Sequence, residues 1–254
     1  MLVCRQLEED GFTNGFSTRL GGVSPFPDKS LNLAGFNEDS RENIYGNRDR
    51  FLRVFDHKYK LALAWQVHGD NIRHVRTIDD AGDSDERADA LISDVSGVLL
   101  AAKTADCVPV LVGDPITGAF AAIHAGWRGT VQSIVTKAIE ELGEAYGSRP
   151  ADLVAAIGPA ASRCQYEVGQ DVIDQFAEAF AGSEKYFETT RDGHALVDLH
   201  AANRDQLLAT GVDEKNISIA PFCTMERPDL FFSYRLEKAK FGKTGRLLSV
   251  IGKS

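Results

Sequence analysis

The chain lacks long apolar runs: none of its 254 residues lies in a stretch approaching the ~20 consecutive apolar residues that span a bilayer. Its first residues, MLVCRQLEEDGF, carry acids where a secretory leader carries bases, so the expectation is a cytoplasmic protein with no membrane partner. Cysteine is sparse. Cys4, Cys107, Cys164 and Cys223 are scattered without a C-x-x-C pair, which in a reducing compartment favours free thiols over a disulfide framework. Basic runs are missing too. A net charge of −9 and a pI near 5.2 argue against a partner with a phosphate backbone, so nucleic acid is not expected. There is no internal repeat, low-complexity stretch or Pro/Gly/Ser-rich linker, and residues 1–254 read as a single domain.

What is present suits a folded core: 43% of residues are apolar and 26% charged. The first 37 residues, rich in Gly, Ser, Asn and Pro, read as turns and extended segments. A helix is expected over 39–55, with Ile44, Phe51, Leu52 and Phe55 on one face. Strand-like runs follow at Leu61–Val67, Ile72–Val75, Ala90–Ile92, Val98–Ala102, Val108–Val112 and Ala119–Ile123. Three- and four-residue spacing of Val131, Ile134, Val135, Ala138, Ile139 and Leu142 predicts one helix from Gly129 to Gly147. A strand at Leu153–Ile157, helices at 169–181 and 199–209, and short strands near 217–220 and 246–251 complete the pattern. Asp198 is the expected N-cap of the 199–209 helix and Gly211 its terminator. Strands cluster while helices are irregularly interspersed, which predicts an α+β fold with mixed sheets in layers flanked by helices.

Three segments end an apolar run in a metal-type ligand: LALAWQVHGD (His68), KTADCVPVLVGDP (Cys107) and GAFAAIHAGWRG (His124). DPIT joins the last two as a hairpin loop. If Gly113 pairs with Gly118, Cys107 falls directly opposite His124, at a separation that lets two side chains share one ion. A one-residue slip would put them on opposite faces. Two imidazoles and a thiolate with an open fourth position form the donor set of a catalytic Zn²⁺ site, which Cu²⁺ can also occupy. The same residues support a metal-free alternative, with Cys107 as nucleophile and His124 as base in a cysteine hydrolase. A metal-binding protein without catalysis is a third reading. The arginines Arg19, Arg128 and Arg235 lie in Gly- or aromatic-flanked turns, and Arg19 and Arg128 are candidates for gripping phosphate. Asp70, Asp106 and Glu167 are open as general acid, with Asp70 and Asp106 beside ligands in sequence. The polar neighbours of His57, His74, His194 and His200 suit a solvated surface, and Cys164 and Cys223 read as structural.

The motifs GFSTRLGGVS, SLNL, QVHG, ADALIS, TADCVPVLVGDP, AAIHAGWRGT, IGPA…CQYEVG, VDLHAANRDQL, CT, FFSYR and TGR run in order from about Gly15 to Lys253. In this the chain resembles the YfiH-like family, also called the laccase-domain or multicopper polyphenol oxidase family, which includes purine nucleoside phosphorylases. TADC, HAGWRG and QVHG carry the specificity of the match. The resemblance places the family's metal ligands on His68, Cys107 and His124. It implies a mixed α/β fold and a monomer or weak homo-oligomer. It also implies phosphorolysis of adenosine, inosine and S-methyl-5′-thioadenosine, with adenosine deamination. Purine nucleoside and phosphate are then the partners.

The chain departs from the family pattern at Phe36, where a His is common after SLNL, at His200, and at Gln165, where a second Cys is frequent. Oxidase chemistry of the laccase kind finds little support. The chain has six His, no His-x-His and only Met1 and Met225, too few for a blue-copper centre feeding a three-copper cluster.

Overall fold

The computed structural model describes all 254 residues as seven α-helices and thirteen strands. The N-terminal part comprises α1 (Arg5–Glu9), β1 (Thr13–Phe16), α2 (Arg41–Leu52), β2 (Lys60–Ala62), β3 (Ile72–His74) and β4 (Ala90–Ser93). The centre follows as β5 (Val98–Thr104), β6 (Val108–Gly113), β7 (Phe120–Ala125), α3 (Trp127–Val131), α4 (Ile134–Tyr146) and β8 (Val154–Ile157). The remainder is β9 (Glu167–Gly169), α5 (Gln170–Ala179), β10 (Phe187–Arg191), β11 (His194–Val197), α6 (Leu199–Thr210), β12 (Ile217–Ile219), α7 (Tyr234–Phe241) and β13 (Leu247–Gly252).

Two mixed sheets stack face to face. One runs β1-β13-β5-β2 and the other β12-β8-β6-β7-β4-β3, while β10-β11-β9 forms a small antiparallel sheet. Strand alternation sets the layers. In β5, Leu100 and Ala102 point between the large sheets, toward Leu111, Phe120 and Ala122, while Leu99 and Ala101 pack outward on Leu33, Phe51 and Leu248. On the far side of the six-stranded sheet, Val110, Val112, Ala121 and Ile123 meet Ile134, Ile139, Phe176 and Leu207 of the helical layer. The expected α+β architecture of layered mixed sheets flanked by helices is what the chain adopts.

Local departures have local causes. The helix expected from Gly129 to Gly147 is two helices, because Ser133 takes a left-handed conformation (φ 59°) and breaks the hydrogen-bond ladder between α3 and α4. The strand expected over Leu61–Val67 stops at Ala62. Beyond it Leu63 N–H donates to the Gly82 carbonyl and Trp65 N–H to the Glu86 carbonyl, so the chain leaves β5 for the 82–88 loop. Asp198 caps α6 as expected, accepting from the Ala201 N–H, and Gly211 ends it at φ 102°. Three features were not anticipated: α1, the small β9–β11 sheet and α7. The last two carried signals in Asp192-Gly193, the turn between β10 and β11, and in Ser233 and Gly242, which cap α7.

Candidate metal centre

Antiparallel pairing places Val108 opposite Ala125, Pro109 opposite His124 and Gly113 opposite Phe120. The register is thus two residues from the one expected. The Gly118 N–H folds back on the Asp114 carbonyl and Asp114 N–H pairs with Ala119, lengthening the loop. An even slip preserves the face. His124 follows Phe120 and Ala122, and Cys107 precedes Pro109 and Leu111, so both belong to the inter-sheet side. Cys107 sits just before β6 and His124 near the end of β7, at one end of the sheet stack.

His68 completes the group from the loop after β2, where it holds a left-handed conformation (φ 60°). The donor atoms of His68, Cys107 and His124 all lie within 4.8 Å of one another, and no other group of three or more potential ligands converges in this way. The rings of His68 and His124 meet edge to face with centroids 4.9 Å apart. His124 is buried, Cys107 half-buried and His68 exposed, which leaves the group open to solvent on one side.

Asp89 organises this arrangement. Its carboxylate accepts the backbone N–H groups of Val67, His68 and Gly69 at 3.1, 2.9 and 2.8 Å, and the His124 Nδ1–H at 2.8 Å. The Nδ1 contact fixes the tautomer that leaves His124 Nε2 free as a ligand. Asp89 lies in ADALIS, 21 residues from His68 and 35 from His124, and was not among the acids singled out in the sequence, Asp70, Asp106 and Glu167. Asp70 is instead ion-paired with Lys137. Asp106, in a left-handed conformation (φ 83°), receives Thr224 Oγ1 at 2.7 Å, Ser233 Oγ at 3.0 Å and the Arg235 N–H at 2.7 Å. Glu167 lies at the surface with Arg191 and Thr190. All three acids are therefore engaged elsewhere.

A glycine makes room for the cluster. A Cβ on Gly126 would stand 3.0 Å from the Cys107 sulfur and 3.2 Å from His68 Cδ2. Electrostatics favour the charged thiol. Burial alone would push the Cys107 pKa up, but the His124 charge and hydrogen bonds from His124 and His68 outweigh it and bring it down to about 6. Burial likewise opposes charge on His124, yet the Cys107 thiolate and the Asp89 carboxylate raise its pKa to about 9. Two imidazoles, one thiolate and a carboxylate-oriented ring suit a divalent transition metal with one position left open.

The two arginines expected to grip phosphate separate. Arg19 is buried, paired with Glu237 at 2.7 Å, hydrogen-bonded to the Pro228 and Phe231 carbonyls and stacked over Phe232. Those contacts engage its guanidinium in the core, which corrects the expectation of a phosphate role. Arg128 is exposed at the start of α3, over the Trp127 ring, and has no carboxylate partner. Arg235 also stays close to the site, linking Asp106 to Tyr166 and the Glu167 carbonyl. His200 corrects another expectation: it is buried, with Nε2 at 3.1 Å from the Gly158 carbonyl.

Layered mixed sheets carry, at one end of the stack, one solvent-open His-Cys-His cluster that could hold a metal ion. The model of the multi-copper polyphenol oxidoreductase laccase family matches residues 13–254, and the chain belongs to that family. A purine nucleoside phosphorylase of Deinococcus radiodurans is 38% identical over 240 residues, covering 94% of this chain and 88% of that protein. One of Staphylococcus epidermidis is 35% identical over 246 residues, covering 94% and 90%. The crystal structure of YfiH from Bacillus licheniformis superposes with a TM-score of 0.90 at 32% identity, covering all of this chain and 96% of that one. YlmD from Geobacillus stearothermophilus gives 0.89 at 35% identity, covering 96% and 92%. No helix is long and apolar enough to cross a membrane.

Proposed function

We propose that the chain is a zinc-dependent purine nucleoside phosphorylase that acts on adenosine, inosine and S-methyl-5′-thioadenosine and also deaminates adenosine. The observation that carries this reading is the open His68–Cys107–His124 cluster in a chain whose relatives are named purine nucleoside phosphorylases. His68, Cys107 and His124 would hold the ion. Zinc, when bound, supplies a Lewis-acidic centre with a coordination position left open by three protein donors. Asp89 keeps the His124 ring in one tautomer and ties the His68 loop to the β4 end. Arg128, lacking a carboxylate partner, draws phosphate to the mouth of the site. In phosphorolysis a phosphate oxygen bonds to ribose C1′ as the C1′–N bond breaks and the base leaves with a proton. The protein is expected to be cytoplasmic and a monomer or weak homo-oligomer, folded as one domain over 1–254.

A second reading, a metal-independent cysteine hydrolase, is favoured by one observation: Cys107 near 6 and His124 near 9 describe a thiolate–imidazolium pair. Product analysis separates the two. Adenosine incubated with phosphate should yield adenine and ribose 1-phosphate, with inosine from deamination. No purine product from any of the three nucleosides would overturn the phosphorylase reading. Turnover of an amide substrate that survives chelation and dies with Cys107→Ala would establish the hydrolase.

A further inference from the structure

Beside the metal centre lies a cluster of cations with too few anions. Arg48, on α2, is buried: its side chain is 7% exposed, Nε donates to the Leu33 carbonyl at 2.8 Å and Nη1 reaches both Asp83 oxygens at 2.9 and 2.8 Å. Its Nη2 is buried and has no partner. Leu33, whose carbonyl holds Arg48, also donates its N–H to the Arg246 carbonyl at 3.0 Å, so the two arginines share one anchor. Arg246 directly precedes β13, where Leu247 and Leu248 pair with Thr104 and Lys103 of β5. The half-buried Lys103 donates Nζ to the Ala64 carbonyl at 2.6 Å. The same strip of chain brings in Asp83, because the Leu63 N–H bonds to the Gly82 carbonyl at 3.0 Å. Neither Lys103 nor Arg246 has a carboxylate within ion-pair distance; Asp83 pairs directly only with Arg48, and Asp83 and Asp89 act on Lys103 from farther away. Burial and the charges of Arg48 and Arg246 hold the Lys103 ammonium below its ordinary value, a cost that an arriving anion would relieve.

The cluster is joined to the metal centre by short covalent and hydrogen-bonded links. Gln66, two residues before His68, donates Nε2 to the Lys103 carbonyl at 2.8 Å and accepts the Lys103 N–H at 2.7 Å. Lys103 is itself four residues before Cys107.

We propose that Arg48, Lys103 and Arg246 form an anion subsite that seats inorganic phosphate next to the His68–Cys107–His124 centre. The unpartnered Arg48 nitrogen and the Lys103 ammonium would donate to phosphate oxygens, with Arg246 adding charge. Arg128, exposed at the start of α3, guides phosphate in; the cluster holds it. The proposal rests on the phosphorylase reading for its occupant, but its test does not. Binding of inorganic phosphate to the zinc-loaded protein is measured by calorimetry at constant ionic strength, for wild type, Lys103→Met, Arg246→Gln, Arg48→Gln and Arg48→Lys. Lys103→Met and Arg246→Gln keep the fold independent of the buried Arg48–Asp83 pair, and melting temperature and zinc content serve as controls. Loss of one charge-assisted bond should weaken phosphate roughly tenfold, with Arg48→Lys partly restoring what Arg48→Gln removes. The phosphate KM should rise by the same factor while the nucleoside KM stays put. Phosphate that binds wild type and the Lys103 and Arg246 variants equally well would overturn the proposal, as would no binding to wild type. Phosphate binding that the variants abolish, in a protein that cleaves no nucleoside, would uphold the subsite and overturn the phosphorylase reading.

Discussion

The Asp89 carboxylate accepts the His124 Nδ1–H at 2.8 Å and the His68 backbone N–H at 2.9 Å, so one fully buried side chain positions two of the three candidate ligands. Burial raises its pKa, yet hydrogen bonding and charge from His124, with the Gly69 and Val67 N–H groups, carry it below the ordinary carboxylate range. Asp89→Asn keeps the shape but turns an NH₂ toward two of these donors, since each carboxylate oxygen accepts two N–H groups. Zinc affinity should fall 10- to 100-fold, as for other oriented-histidine sites, read by competition with a chromogenic chelator. Unchanged affinity would remove Asp89 from this role.

Gly126→Ala tests the crowding at the cluster. The added methyl would press on the Cys107 sulfur at 3.0 Å and on His68 Cδ2 at 3.2 Å, so metal binding should weaken while the melting temperature moves little. A variant that binds zinc as tightly as wild type would show that the loop gives way freely.

Arg19 and Arg128 should behave oppositely. Arg19→Met leaves Glu237 buried, with only the Thr244 hydroxyl on its carboxylate, and should cost roughly 3–5 kcal/mol, on the order of 10 °C in melting temperature. Arg128→Gln should leave stability nearly unchanged and raise the phosphate KM severalfold. Thermal melts and phosphate titrations check both; an Arg19 variant of normal stability would contradict the buried-pair description.

His200 predicts a pH dependence. Burial holds its folded-state pKa below the ordinary histidine value, although the Gly158 carbonyl pulls the other way. The unfolded chain therefore takes up a proton that the folded one resists. Its stabilising contribution is full above about pH 6.5 and drains away as the pH falls toward the folded-state value. Melting temperature measured from pH 7.5 to 5 should fall less steeply in His200→Gln than in wild type. Parallel curves would assign the acid sensitivity to other groups.

The convergence of His68, Cys107 and His124 was legible because each ends an apolar strand-like run, and the face shared by Cys107 and His124 survived a two-residue error in register. Alternation is a parity, and parity tolerates even slips. The error came from counting DPIT as the whole loop, when Asp114 and Ala119 close it by their own hydrogen bond. Asp89 was not legible because its partners lie 20 to 35 residues away in sequence, joined only by the fold. Arg19 looked like a ligand-gripping residue for the same reason: nothing near STRLGG reveals that Glu237 waits 218 positions later. The β10–β11 hairpin was not legible although Asp192-Gly193 is a strong turn signal, since exposed FETTR offers little apolar alternation.

The most direct test of the metal centre is to purify the protein, count bound zinc, and follow adenosine with phosphate before chelation, after it, and after zinc is restored. About one zinc per chain is expected, with adenine formation that stops on chelation and returns with zinc, and neither in Cys107→Ala. Metal-free protein that cleaves adenosine at the full rate would contradict the zinc-dependent reading.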